Sequence, residues 1–305
     1  MDPARLRLLR ELGDRGSVAA VAAAMRVSPS AVSQQLAALQ AGVAVPLTVR
    51  RGRALVLTEA GEAVAVAGAR VEEAMAAARD AVGAFLDDGD RVVSVSAFHS
   101  AGHALFGPLL AALVDEPRVS LRDADVAQGD FAGLTADHDL VVAHRLAHHP
   151  EWPTRRLAVA PLFVEPLDVA LPSGHPLAAQ AALTPEQLAD EPWIAVHDGF
   201  PLGGALDLLA ARAGRPLRIA HRINELFVAA EVVRGGAALA IMPRITAAPL
   251  AVDGLVLRPI AGLEAVRHVD VLARPDALAL RPVRTVLTAL RAVAAERAAR
   301  SAHAP

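Results

Sequence analysis

Ser17-Val18-Ala19-Ala20-Val21-Ala22-Ala23-Ala24-Met25-Arg26-Val27-Ser28-Pro29-Ser30-Ala31-Val32-Ser33-Gln34-Gln35-Leu36-Ala37-Ala38-Leu39-Gln40 is the stretch on which the fold turns. Ser17 is placed to cap a short helix from Val18 to Met25, with Val18, Val21, Ala22 and Met25 on one stripe. Alanine at most other positions lets a second backbone come close. Arg26-Val27 is the turn, and Ser28-Pro29 reads as N-cap plus first-turn proline. The helix that follows runs to about Gln40 and buries Val32, Leu36 and Leu39. Its opposite face carries Ser30, Ser33, Gln34 and Gln35. Two short helices around a tight turn, the second polar outside, fit a helix into the major groove. Serine and glutamine suit base edges and phosphates because they donate and accept without fixed charge. Ser28 and Pro29 sit where free N–H groups suit a phosphate. The plain alternative is a helical hairpin with a solvated face.

Working outward, Leu6, Leu9 and Leu12 mark a preceding helix, which Gly13 and Gly16 are expected to end. Downstream, Leu47-Thr48-Val49-Arg50 and Ala54-Leu55-Val56-Leu57 are strand-like runs around Arg51-Gly52-Arg53. This is a hairpin with a basic tip, a wing whose Arg50, Arg51 and Arg53 can reach phosphates or a narrow minor groove. Residues 1–58 carry eight arginines against three acids, +5, while the whole chain has a net charge of −3. A basic end on an acidic body is the pattern of a nucleic-acid reader joined to something else.

Residues 59 to about 86 lack proline and read as one helix. Val64, Gly68, Val71, Met75, Ala78, Val82 and Phe85 recur in steps of four and three, the seam of a dimer helix. Two-fold pairing also suits the reading of two half-sites. Asp87-Asp88-Gly89-Asp90 is the expected hinge.

The composition narrows the function classes. The chain has 305 residues, room for two or three domains, and 54% of them are hydrophobic, so a sizeable core is available. It has no cysteine, which excludes disulfides, thiolate metal sites and thiol catalysis. No secretory signal follows the first residues, and the apolar run Val18 to Met25 is far short of the ~20 residues that cross a bilayer. All 30 basic residues are arginine, as codon bias in a high-GC genome produces, so arginine usage alone carries little meaning.

From Arg91 strands and helices alternate, which argues an α/β domain with a largely parallel sheet. Strands are expected near 91–97, 119–124, 139–144, 162–172, 191–196 and 217–222, with helices near 100–114, 202–213, 224–234 and 282–299.

Ser17 to Ala22, Ser28 to Leu39 and Leu57-Thr58-Glu59-Ala60-Gly61 together resemble the N-terminal signature of the LysR-type transcriptional regulators. Gln40, Val43-Ala44 and Thr48-Val49-Arg50 depart from the family pattern of glutamate, Leu-Gly and Phe-x-Arg. His175-Pro176-Leu177-Ala178, Glu191-Pro192-Trp193-Ile194 and Gly235-Gly236 through Ile241-Met242-Pro243 resemble the same family's effector domain. The resemblance implies an α/β protein: an N-terminal winged helix-turn-helix (1–58), a long linker helix (59–89) and a periplasmic-binding-protein-like effector domain (90–305). Subdomain one would be about 91–162 plus 268–300, and subdomain two about 163–267. It further implies a cytoplasmic bacterial regulator, a homodimer or homotetramer on an inverted-repeat site in duplex DNA. RNA polymerase is a further expected partner, and neither membrane nor cofactor is expected. An effector would sit between the subdomains, beyond the carboxyl ends of strands. Ser96, Phe98, His99, Ser100, His144, His197 and Asn224 are the expected effector residues. The helix start at His99-Ser100 suits an anionic ligand.

Three rival readings remain at this point. His99 and His103, four apart, have metal-ligand spacing, and His144, His148 and His149 add a looser group. The hydrolytic zinc motif, however, needs glutamate where Ser100 stands. A cytoplasmic α/β enzyme would need a nucleophile elbow, phosphate loop or dinucleotide motif, and none is found. A nucleoid or RNA-binding protein has no use for a 200-residue α/β body.

Overall fold

The computed structural model describes residues 1–52, 54–86, 91–114, 117–200, 202–251 and 254–302. The wing residue Arg53, the hinge Asp87-Asp88-Gly89-Asp90 and the side chain of Phe85 lie outside the described residues.

The head is built by local chemistry. Helix α1 (Pro3–Arg15) starts where Asp2 accepts the Ala4 N–H at 2.8 Å and stops at Gly16, whose φ is 71°. Gly13 lies inside α1 rather than ending it. A Cβ there would stand 2.7 Å from Arg156 Nη1 and from Leu57 Cδ1, so the glycine serves close packing. Ser17 caps α2 (Val18–Met25), and Arg26 closes the turn at φ 55°. Ser28 accepts the Ala31 N–H at 3.2 Å and opens α3 (Pro29–Ala41). Val32, Leu36 and Leu39 are buried with Leu9, Leu12 and Val21, as the periodicity requires.

The wing is the antiparallel hairpin β1 (Thr48–Arg51) and β2 (Ala54–Leu57), turning through Gly52 at φ 62°. Gln40 explains why its departures from the family pattern leave the hairpin intact. Its amide donates to the Val43 and Val45 carbonyls at 3.1 and 2.9 Å and accepts the Leu47 N–H at 2.7 Å. A carboxylate could do only the accepting.

Helix α4 (Glu59–Leu86) has the expected limits. Its expected seam divides. Val64 packs on the protein's own head and a Cβ on Gly68 would stand 3.1 Å from Leu6 Cβ. Val71, Met75 and Val82 instead stand 37%, 40% and 58% exposed.

The body comprises β3 (Val93–Ala97), α5 (His99–Ala112), β4 (Val119–Asp123), α6 (Phe131–Leu134), β5 (Leu140–Leu146) and β6 (Ala158–Pro172). Then follow α7 (Pro185–Leu188), β7 (Pro192–Ala195), α8 (Gly203–Ala213), β8 (Arg218–Arg222), α9 (Leu226–Arg234) and β9 (Leu239–Pro243). The chain closes with β10 (Leu255–Arg258), β11 (Val266–Ala273), α10 (Pro275–Leu278) and α11 (Arg281–Ala302). Among the described residues the sheet order is β4-β3-β5-β11-β6-β9-β7-β8, with β10 paired to β6.

The expectation of a largely parallel sheet is corrected. The flanks β4-β3-β5 and β9-β7-β8 are parallel, but β11 runs antiparallel to both β5 and β6, and β6 antiparallel to β9 and β10. β9, β10 and β11 are not among the expected strands, and β11 is the strand that joins the two halves. One apolar core gathers β3, β5, α5 and α11 around Phe98, Phe131 and Leu290; others gather β7, α8 and α9 around Trp193, Leu209 and Val233. Strand β6 runs through both lobes, giving Ala160 to one core and Leu167, Val169 and Leu171 to the other.

The head rests on the body. α4 packs against both α1 and α10, and Arg15 of α1 donates to the Ala136 carbonyl at 2.8 Å and to Asp137 at 2.9 Å.

Candidate DNA-reading face and effector cleft

The cap at Ser28 and the three buried apolar residues fix the roll of α3. Ser28, Pro29, Ser30, Ser33, Gln34 and Gln35 are consequently all exposed on the side away from the core. Gln35 accepts from Arg5 Nε at 3.0 Å, and Ser28 and Ser30 share a hydrogen bond of 2.9 Å. Arg50 and Arg51 are exposed on the wing.

The cleft lies between the lobes, at the amino ends of α5 and α9, and its walls stand close, leaving a cavity of about 30 Å³. Phe98, His99, Ser100, His144 and Asn224 line it. Two expected residues do not. Ser96 sits on β3, flanked by β4 and β5, is 0% exposed, and its hydroxyl has no protein partner. His197 follows the end of β7 by two residues, so its ring is exposed, while its backbone N–H donates to Asn224 Oδ1 at 2.7 Å.

Sequence reading missed the polar centre of the cleft. Arg267 of β11 and Glu165 of β6 are 1% and 0% exposed and pair at 2.6 Å. Arg267 also donates to Thr246 Oγ1 at 2.6 Å and to Ser100 Oγ at 3.1 Å, and its guanidinium stands 4.9 Å over the Phe98 ring. Glu165 accepts the backbone N–H groups of Ile245 and Thr246, the former at 2.8 Å. A buried pair is retained only when its remaining lone pairs and protons find partners, as they do here. Ser100 is therefore a buried acceptor for Arg267; the N-cap of α5 is Phe98, with no side-chain cap bond.

His144 packs against Phe98, ring centres 4.3 Å apart, and its buried Nδ1 has no protein partner. Burial, then the charges of Arg267 and His149, hold its pKa well below the usual histidine value, so it stays neutral. Burial raises Asp125, and Glu225 adds to this, against the opposing pull of His99 and Arg267.

The histidine clusters fall apart. His103 packs edge-on against Phe227 at 4.9 Å, whereas His99 meets the carboxylates of Glu225 and Asp123. His148 and His149 pack on each other at 4.6 Å, and among the described residues they form no ligand group with the buried His144. No helix among the described residues is long and apolar enough to cross a membrane.

Comparison with known proteins agrees with this geometry. Residues 3–62 match the family model described as "Bacterial regulatory helix-turn-helix protein, lysR family", and residues 87–295 match "LysR substrate binding domain". A probable nitrogen assimilation transcriptional activator of Synechocystis is 24% identical, over 81% of this chain and 80% of that one. A probable hydrogen peroxide-inducible genes activator of Mycobacterium avium is 28% identical, over 79% and 77%. Among solved structures, a full-length point variant of OxyR from Pseudomonas aeruginosa superposes with a TM-score of 0.66 at 20% identity, covering 96% of this chain and 94% of that one. Full-length CbnR in complex with its target DNA gives 0.52 at 21%, covering 96% and 100%. With both halves matched in order, the chain belongs to the LysR family: it is a DNA-binding transcriptional regulator with an effector-binding domain.

Proposed function

We propose that the protein reads an inverted repeat in duplex DNA as a homodimer or homotetramer, acting in the cytoplasm, with α3 in the major groove and Arg50, Arg51 and Arg53 on flanking phosphates. The exposed Ser–Gln face of a well-capped α3, on a basic head, supports this reading. The exposed half of the α4 seam offers the pairing surface. The boundaries 1–58, 59–89 and 90–305, with the body split near 162 and 268, belong to the same reading.

The effector we propose is a small molecule with one anionic group, bound in the cleft. The observation that carries this is the set of unfilled donors there. The first N–H groups of α5 have no intrahelical acceptor, and the neutral His144 has an unpartnered Nδ1 at the same site, which donates in the Nδ1–H tautomer. Arg267 stands at the same wall. With no cysteine in the chain, thiol oxidation is not its signal. β11 leads from Arg267 at the cleft to Arg274 beside the head, about 23 Å at strand rise. A ligand that prefers one lobe arrangement thereby biases the head.

The test is a thermal-shift screen of amino acids, aromatic acids and sugar acids. A carboxylate that raises the melting temperature of the wild type but not of His144→Phe supports the reading. A hit list of neutral compounds alone contradicts the anionic assignment.

A further inference from the structure

The mouth of the cleft carries a second kind of chemistry. His99 begins α5 on one lobe, Asp125 lies in the loop after β4 on the same lobe, and Glu225 precedes α9 on the other. One donor atom from each lies within 4.8 Å of the others, and all three residues are partly buried. Glu225 occupies the N-cap position of α9 but makes no side-chain cap bond. Its carboxylate reaches across the cleft to His99 Nδ1 instead.

We propose that His99, Asp125 and Glu225 form a site for a first-row divalent cation that ties the two lobes together. One imidazole and two carboxylates are intermediate in softness, suited to zinc or its neighbours rather than to an all-oxygen magnesium or calcium shell. Two carboxylate charges match a dication, with the imidazole neutral. Three protein donors leave a fourth position open toward the cleft, where an anionic ligand or water completes the shell. Because donors come from both lobes, the cation stabilises the closed arrangement and not an opened one. The site stands on these three residues and does not depend on the identity of the effector.

The experiment is calorimetric titration of the metal-free full-length protein with zinc chloride, alongside its melting temperature. The expected result is one saturable site per chain with micromolar or tighter Kd, and a zinc-dependent rise in melting temperature. Glu225→Gln and Asp125→Asn each weaken binding by at least about tenfold, since even outer partners of a metal site cost about 10–100-fold. His103→Ala, on the same helix but outside the cluster, leaves the Kd unchanged. Absence of saturable binding overturns the proposal. So does binding that Glu225→Gln leaves intact, which places the metal on other histidines. The same variants, screened in chelator for the anion-induced shift, separate a failure of this site from a failure of the effector reading.

Discussion

Arg10 Nη1 of the DNA-binding head lies 3.3 Å from Asp276 Oδ1 of the effector-binding body, and the arginine side chain is only 2% exposed. The same guanidinium meets Glu72 of α4 at 2.8 Å and Glu11 at 3.1 Å, while Arg274 of the body reaches Glu11 at 3.1 Å. Head, linker helix and body thus share one buried ionic junction. Asp276 and Arg274 directly follow β11, whose other end carries Arg267 in the cleft.

Arg10→Met leaves Glu11, Glu72 and Asp276 crowded without their shared cation. Removing one partner of a buried pair costs about 3–5 kcal/mol, so denaturant unfolding is expected to show a loss of that order. Burial, with Asp276 adding to it, already raises the Glu72 carboxyl against the opposing pull of Arg10, and the variant is expected to raise it further. A change under about 0.5 kcal/mol, the level of an exposed pair, would contradict the junction.

Acid sensitivity is expected from His144. It stays neutral in the fold, whereas the unfolded imidazole takes a proton below about pH 6.5. The unfolded state therefore binds more protons as pH falls. Stability is lost below that point at up to about 1.4 kcal/mol per pH unit. The raised carboxyls of Asp14, Glu72 and Asp125 work the other way, binding protons in the native state at higher pH than in the unfolded one. Comparing the wild type with His144→Phe isolates the histidine. Between pH 7 and 5 the wild type should lose more stability than the variant; parallel curves would refute the assignment.

Gly61 stands where the linker helix meets the wing. A Cβ there would lie 1.9 Å from the Leu47 carbonyl oxygen, a backbone atom that cannot swing aside. Gly61→Ala should destabilise the head by about 1–3 kcal/mol or more, the range for overpacking. Hydrogen exchange should show the loss in residues 1–60 and leave the body unchanged.

Dimerisation is expected to depend on the exposed part of the α4 seam. Met75→Glu and Val82→Glu place charge at apolar positions that one chain leaves 40% and 58% exposed. Sedimentation should show dissociation toward monomer at concentrations where the wild type is paired, with the melting temperature of the body retained.

On DNA, the two classes of contact should separate. Arg51→Ala is expected to weaken all sequences alike and to reduce the salt slope by about 1. Gln34→Ala should instead relax base preference, worth about 1–3 kcal/mol at one position of the site. Equal losses on specific and random duplexes for Gln34→Ala would remove its assigned role.

The head was legible because its signals are local. Ser17, Ser28-Pro29 and the Val32–Leu36–Leu39 stripe each decide structure within one or two helical turns. The length of α4 was legible for the same reason, but the division of its seam was not, since Gly68 faces Leu6 only after the chain folds back. In the body, β11 went unread because Arg267 and Asp270 interrupt its apolar run; both are buried, Asp270 accepting from Trp152 Nε1 at 2.8 Å. The centre of the cleft joins Glu165 to Arg267 across 102 positions, a distance at which sequence pattern carries no pairing information. Five of the seven expected cleft residues do line it, because strand ends and helix starts are local features. Ser96 and His197 stand two and one positions from the lining residues Phe98 and Val196, a shift that turns a side chain to the sheet interior or to solvent.

The most direct test of the central claim is selection of bound sites from a random duplex library by the full-length protein. The account predicts an enriched motif with dyad symmetry, its half-sites about one helical turn apart or a multiple of it. Binding without any enriched sequence, or an enriched motif lacking two-fold symmetry, would contradict the assignment of the α3 Ser–Gln face to paired major grooves.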